Sequence, residues 1–342
     1  MPRDDATTPH DTAPPPEPHP DTAPPPKPHP DTAPPPEPHR DAAPPPKPHR
    51  DAAPAPRDAR PALTIVTVLH DSAAEVEALI ASVRRHLGAE MPRIVAVDSG
   101  STDDGPARAE VAGAEVVRLD GNPGFGAANN AGVALAETAI TALLNPDITL
   151  EDDGLLRLAD AARTTDALHV PRLRGTDGHV QDSAHALPGT RRELLRALAP
   201  GPLRAEPWRT ARATRPVGWA IAAAVVARTS TLASLGPFDP TAFLFYEDLE
   251  LCLHARATGI PTILHPDVAL THAGAHSTRP AYGGEPVATL VGRRRHVIGE
   301  HLGASALRRD DAAQVLTHAL RAFRARDRAF LRATVRARRA GP

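Results

Sequence analysis

The chain has 342 residues, 41% hydrophobic and 23% charged, with a formal net charge of −2. This is enough apolar residue for one large domain or two, and the near-neutral total singles out no polyanionic or polycationic partner. A lone cysteine, Cys252, excludes an internal disulfide and a cysteine-based zinc site, so nothing requires an oxidising compartment.

The first residues, MPRDDATTPHDT, lack the apolar stretch of a secretion signal, and the longest apolar run, Val217 to Ala227, is shorter than the ~20 residues that span a bilayer. The expectation is a soluble, cytoplasmic protein. From Asp11 a ten-residue unit repeats: DTAPPPEPHP, DTAPPPKPHP, DTAPPPEPHR, DAAPPPKPHR and a decayed DAAPAPRDAR. Residues 1–60 hold 22 of the 40 prolines and almost no large apolar side chains, so burial cannot offset the entropy of ordering them. A disordered, partly polyproline-II tether is expected, with partner docking or metal capture by His19, His29, His39 and His49 as the alternatives.

At Leu63 the pattern changes. ALTIVTVL reads as a buried strand, SAAEVEALIASVRRHL as an amphipathic helix, RIVAVD as a strand and DDGPARAEV as a short helix. AEVVRL, GAANNAGVALAE and AITALL continue as strand, helix and strand. This alternation predicts an α/β fold with a parallel sheet and ligands at the carboxyl ends of the strands. Those ends carry His70-Asp71-Ser72, Asp98-Ser99-Gly100-Ser101, Gly121-Asn122-Pro123-Gly124 and Asn145-Pro146-Asp147.

Beyond Leu150 the alternation weakens, and a linker rich in Arg, Pro and Gly is expected over roughly 172–216. VGWAIAAAVVA then reads as a strand, EDLELCLHARATG as a helix and TILHPDVALTH as a closing strand. From Gly292 onward, thirteen arginines face four acids, with apolar residues at helical spacing, which predicts a basic helical tail over 292–342. Contact with an anionic membrane surface is one use for it and a solvated helix the other; no nucleic-acid recognition motif accompanies the arginines.

Asp71, Asp98 and Asp147 place three carboxylates on one sheet edge. A lone aspartate there is a turn former or helix cap, but three repel one another unless donors or a divalent cation offset the charge. Gly124-Phe125-Gly126-Ala127-Ala128-Asn129 approaches a dinucleotide fingerprint, but the third glycine is replaced by Asn and the segment follows the third strand, not the first. A nicotinamide oxidoreductase is therefore a distant alternative. In FLFYEDLELC, over 243–252, an aromatic cluster runs into Glu247 and Asp248; a helix start with acids in its first turn accounts for it, as does a carboxylate kept reactive by apolar walls. Trp219 is either core or a platform for a sugar face.

Taken together, TVLHDSAAEVEAL, VDSGSTDDG, NPGFGAANNAG, LLNPDITL, WAIAAAVVART, GPFDPTAFLFYEDLELCLHARATG and HAGAHS, in that order over about 63–280, resemble family 2 glycosyltransferases of the GT-A fold, especially bacterial rhamnosyltransferase-like members. The resemblance implies a GT-A domain over 61–291, with Leu69, His70, Asp71 and Asp98 lining the pocket for the donor's base and ribose. Gly124, Gly126, Asn129, Asn145 and Trp219 are further candidates for contact with the nucleotide sugar. Asp147 would contact a Mg²⁺ or Mn²⁺ ion on the diphosphate, with His272, in the stretch ending at Ser277, beside it. Asp248 would be the catalytic base, with Glu247 as second base or as a holder of the acceptor hydroxyl. The implied activity is inverting transfer of a sugar, rhamnose being one candidate, from a dTDP- or UDP-linked donor to a cell-envelope glycan or lipid-linked acceptor. His70, Ala222, Glu250 and His254 depart from the family pattern, so a catalytically degenerate domain that only binds nucleotide sugar or carbohydrate, with the Pro-rich arm as recruitment tether, is the alternative.

Overall fold

The structure, a computed structural model, describes residues 63–199, 208–236, 238–239, 244–274 and 286–340. The Pro-rich repeats, Phe243 and Ser277 lie outside the described residues. The chain order is β1 (Leu63–Leu69), α1 (Ala73–Leu87), β2 (Arg93–Asp98), α2 (Gly105–Val111), β3 (Glu115–Arg118), α3 (Phe125–Ala134), β4 (Ile140–Leu144), β5 (Ile148–Leu150), α4 (Gly154–Thr164) and β6 (Leu168–Arg174). There follow β7 (Ala184–His185), α5 (Arg191–Leu198), β8 (Arg215–Val217), β9 (Trp219–Ala220), β10 (Ala224–Arg228), α6 (Thr229–Leu235), α7 (Glu247–Ala257), β11 (Thr262–His272), α8 (Val287–Ala319) and α9 (Ala325–Ala340).

The main sheet runs β3-β2-β1-β4-β10-β6-β11-β5, with β8 added on β11. Strands β3, β2, β1 and β4 are mutually parallel, as the alternation predicted; β10 runs antiparallel between β4 and β6. All seven residues of β1 are buried, which is why LTIVTVL has no polar alternation: helices cover both faces of the sheet. One core layer holds α1 and α4 against Ile65, Ile94 and Ala142; the other holds α3, α6, α7 and α8 against Val66, Val97 and Leu143. Gly132 lets α3 lie close on the sheet, since a Cβ there would come within 2.3 Å of Val66 Cγ1.

Register aligns the carboxyl ends. Leu69 pairs with Asp98, and Asp98 with Arg118, so the residues after β1, β2 and β3 emerge at one edge. Because β10 is antiparallel to β4, with Ala224 opposite Leu144, the turn entering β10 meets the chain leaving β4. Asn145 N–H accordingly donates to Ala223 O at 2.9 Å.

Three expectations change. The stretch read as a linker over 172–216 contains the end of β6, all of β7 and α5, and most of β8. Helix α5 starts at a capping arrangement: Thr190 Oγ1 accepts from Glu193 N–H at 3.2 Å, and Glu193 Oε2 accepts from Gly189 N–H at 2.7 Å. VGWAIAAAVVA is not one strand: β9 pairs with β7 in a separate two-stranded sheet, and the chain turns at 221–223 before entering β10. Finally, the helix expected from 292 begins at Val287, breaks at Gly303 (φ 79°) and buries Val297 and Ile298 in the same core layer as α7. Helix α9 folds back along it, with Asp327 2.8 Å from His318 and Arg338 4.0 Å from Asp311.

Candidate active site

The strand-end residues after β1, β2 and β3 lie together at one edge of the sheet. His70 Nδ1 lies 2.9 Å from Ser99 O; a carbonyl only accepts, so Nδ1 carries the proton and Nε2 is left as the acceptor, 3.5 Å from Asn122 Nδ2. Asn122 Oδ1 in turn accepts from Ser99 Oγ and from Gly124 N–H, both at 3.0 Å. Asp71, with φ 49°, accepts from Thr102 N–H (2.6 Å), Thr102 Oγ1 (3.0 Å) and Asp103 N–H (3.3 Å), and the Thr102 backbone bond foremost holds its carboxyl below the usual range. Asp98 accepts from Ser101 N–H at 2.9 Å, and Leu69 is buried beneath it. The crowding of carboxylates is thus relieved in part by backbone donors. Asn122 completes this network; the sequence marked it only as part of a strand-end turn.

Gly124, with φ 99°, makes the turn into α3. Gly126 and Asn129 are taken up by packing. A Cβ at Gly126 would stand 2.9 Å from Phe238 Cβ, and Asn129 is buried with its amide donating to Phe125 O at 2.9 Å. The adjacent Asn130 clasps the Phe238 backbone through both amide atoms, at 2.8 and 3.0 Å. This part of α3 therefore anchors the loop that leads toward α7.

The NPD segment bends back after Asn145, whose carbonyl accepts from Ile148 N–H at 3.1 Å. Asp147 Oδ2 accepts from Gly274 N–H at 2.8 Å, and Asp147 Oδ1 faces His272 Nε2 at 3.5 Å. Gln181 fixes the histidine: its Oε1 accepts from Nδ1 at 2.8 Å, while its Nε2 donates to His272 O at 2.8 Å. Burial pushes the His272 pKa down, and with Nδ1 engaged by Gln181 it is Nε2 that faces the carboxylate. Two lone-pair donors facing one another in this way suit a divalent cation. Among the described residues no third His, Cys, Asp or Glu joins them, so such an ion would complete its shell with water and phosphate oxygens, as Mg²⁺ does. Gln181 carried no signal in the sequence.

Across the 221–223 turn stands α7. Phe245 (φ 76°) and Tyr246 (φ 60°) precede it in left-handed conformation; with Asp71 they are the non-glycine residues of positive φ among those described. Such strain collects at functional sites, because only surrounding structure can hold it. Asp248 accepts from Leu249 N–H at 2.7 Å and from the Ala222 backbone N–H. Desolvation pushes its pKa up to about 6. Glu247 is buried, its Oε2 has no partner among the described residues, and desolvation together with the Asp248 charge pushes its pKa up to about 8. Burial raises both of these adjacent carboxyls, so the pair as a whole holds protons more tightly than free carboxylates do.

The α7 start is braced from behind. Tyr246 lies 5.7 Å beneath the Arg294 guanidinium, which also pairs with Asp310 (2.6 and 3.0 Å) and Glu193 (3.4 Å). Glu250 pairs with Arg293 at 3.1 Å and lies 3.5 Å from His301, while Arg295 pairs with Asp311. The first three arginines of the basic tail therefore serve internal ion pairs and present no charge to a membrane. Trp219 resolves toward core: it is 8% exposed, stacks on His185 at 4.3 Å and lies 6.4 Å from Tyr246.

The fold is α/β, and its strand-end edge carries hydrogen-bonded aspartates and a carboxylate–imidazole pair, with a desolvated carboxylate across one turn. The family model for glycosyl transferase family 2 matches residues 64–209. Two relatives from Mycobacterium tuberculosis, the N-acetylglucosaminyl-diphospho-decaprenol L-rhamnosyltransferases of strains CDC 1551 / Oshkosh and ATCC 25618 / H37Rv, are each 30% identical over 258 residues, covering 68% of this chain and 81% of theirs. The chain belongs to glycosyl transferase family 2 and is a glycosyltransferase. Among solved structures, S. aureus TarS 1–349 in complex with UDP-GlcNAc superposes with a TM-score of 0.48 at 14% identity, covering 75% of this chain and 70% of that one. A crystal structure of S. aureus TarS gives 0.46 at 14% identity, over 75% and 43%.

Proposed function

We propose that the enzyme transfers a sugar, rhamnose first among the candidates, with inversion from a dTDP- or UDP-linked donor to a lipid-linked diphosphate acceptor or cell-envelope glycan. The observation that carries this reading is the 221–223 turn. Asn145, two residues before Asp147, donates to Ala223 O, and Ala222 N–H donates to Asp248, so the proposed leaving-group side and the proposed base flank one turn.

In this reading the donor's base and ribose lie over Leu69, His70, Asp71 and Asp98. The acceptor oxygen attacks the anomeric carbon, the bond to the donor diphosphate breaks, and Asp248 takes the hydroxyl proton. Its apolar surroundings raise its basicity and exclude competing water. Glu247 holds the acceptor hydroxyl or serves as second base. Asp147 and His272 would hold a Mg²⁺ or Mn²⁺ ion, which when bound supplies neutralising charge for the departing diphosphate. The M. tuberculosis relatives, named for a diphospho-decaprenol acceptor, support the acceptor class. Against the binding-only alternative, His254 is exposed on α7 and Glu250 is satisfied by Arg293 and His301, so neither departure disturbs the base.

The enzyme is proposed to be cytoplasmic and to touch the inner membrane face at the turn between α8 and α9. There Leu320 (50% exposed) and Phe323 (75% exposed) lie among Arg321, Arg324 and Arg328. Among the described residues no helix is long and apolar enough to cross a membrane. The deciding experiment is a panel of nucleotide sugars with a polyprenyl-diphospho-GlcNAc acceptor and Mn²⁺ or Mg²⁺. Metal-dependent transfer from one donor is expected; failure of every nucleoside diphosphate to bind, with or without metal, overturns the reading.

A further inference from the structure

Helix α7, which carries Asp248, starts without a local cap. Its N-cap residue is Tyr246, whose side chain makes no capping hydrogen bond, where a Ser, Thr, Asp or Asn would accept from the first turn. Phe245 and Tyr246 both have positive φ, a conformation that two successive bulky residues keep only under contact from outside their own segment. The first turn is nevertheless tied to them, since Tyr246 O accepts from Glu250 N–H at 3.0 Å with Asp248 in between. The direction of the Asp248 carboxylate therefore depends on what holds Tyr246.

That hold comes from a column of side chains drawn from four elements. His185 of β7 stacks on Trp219 of β9 at 4.3 Å, Trp219 lies 6.4 Å from the Tyr246 ring, and Arg294 of α8 stands 5.7 Å over that ring. Ring pairs at these separations attract, as does a guanidinium within ~6 Å of a ring centre. Arg294 is itself clamped by Asp310 at 2.6 and 3.0 Å and by Glu193 of α5 at 3.4 Å. Asp310 is 16 residues further along the chain, ~24 Å away on a straight helix, and meets Arg294 because α8 breaks at Gly303. A buried ion pair is a weak source of stability, because apolar residues of similar volume serve as well or better. What apolar residues cannot supply is the cation over Tyr246.

We propose that Arg294 is a positioning residue for sugar transfer: clamped by Asp310 and Glu193, it holds the Tyr246 ring and with it the strained start of α7, so that Asp248 is aimed at the acceptor hydroxyl. The inference rests on Asp248 as the base, as proposed in the preceding section. It gives the helices after β11 a part in turnover, because the clamp on Arg294 is completed only when α8 folds back on itself.

The test uses variants of the full chain. Arg294→Met combined with Asp310→Leu removes the ion pair as a unit, while Tyr246→Leu removes the ring and leaves the ion pairs in place. Both are expected to lose ~10- to 100-fold in kcat while remaining folded at the assay temperature, with donor Kd and acceptor KM within about 3-fold of wild type. Arg294→Lys keeps a cation for the ring and is expected to lose no more than about 5-fold in kcat. A kcat within about 3-fold of wild type in both the double variant and Tyr246→Leu overturns the proposal, as does a loss that appears equally in donor Kd, the mark of general loosening. If Asp248→Asn keeps full turnover, the base assignment fails separately. The column is then read from the emission of Trp219 in a Trp208→Phe background, these being the two tryptophans of the chain; emission unchanged by Arg294→Met with Asp310→Leu overturns it.

Discussion

Asp248→Asn should yield a protein that is more stable and far less active. The carboxyl is raised from 3.8 to about 6, roughly two pKa units at ~1.4 kcal/mol each, so its ionised form carries about 3 kcal/mol of unfavourable desolvation at neutral pH. A carboxyl with a folded pKa above its unfolded value binds its proton more tightly in the native state. Its contribution is therefore fully present below about pH 3.8 and is lost as pH rises through about 6. Asparagine removes the charge and keeps one oxygen to accept from Leu249 and Ala222, so about 1–3 kcal/mol is recovered at pH 7.5, a rise in Tm of roughly 2–10 °C. With the base gone, kcat should fall ~10²- to 10⁴-fold while donor Kd is unchanged. In the wild type, kcat should rise with pH through about 6 as Asp248 ionises, and that limb should vanish in the variant. Scanning calorimetry at pH 5 and 7.5 and a kcat–pH profile supply the measurements. A variant that loses stability at pH 7.5, or keeps both turnover and the pH limb, would refute the assignment.

Further expectations concern the groups around this centre. Arg294→Met strands Asp310, 1% exposed, and should destabilise the fold by ~3–5 kcal/mol, whereas the double variant with Asp310→Leu should recover much of the loss; denaturant titration reads both. Asp147→Asn should abolish the Mn²⁺-dependent part of nucleoside-diphosphate binding and leave the Mn²⁺-independent part intact, as followed by calorimetry with and without EDTA. Replacing both Leu320 and Phe323 by Ser should weaken flotation with anionic liposomes at least ~10-fold, while vesicles of neutral lipid should bind neither protein; equal flotation of the two proteins would remove the membrane contact.

The parallel half of the sheet was legible in the sequence because each of its strands is a local apolar run and each residue assigned to the donor in the proposal ends or directly follows one: Leu69 to Asp71, Asp98 and Asn145 to Asp147 need only the rule that strand ends converge. The pairing of Glu247 with Asp248 was likewise visible as a helix start. Less was local elsewhere. Whether the tail's arginines face solvent depends on Glu193, Glu250, Asp310 and Asp311, which α5, α7 and the fold-back of α8 bring to them. Trp219 became core because His185 arrives on β7, Gly126 became a packing residue because Phe238 occupies the space of its missing side chain, and His272 meets Asp147 only because β11 pairs antiparallel with β5. Periodicity records what a residue does within its own element; ion pairs, stacking and the facing of two lone pairs depend on distances between elements, and those are set only when the layers pack.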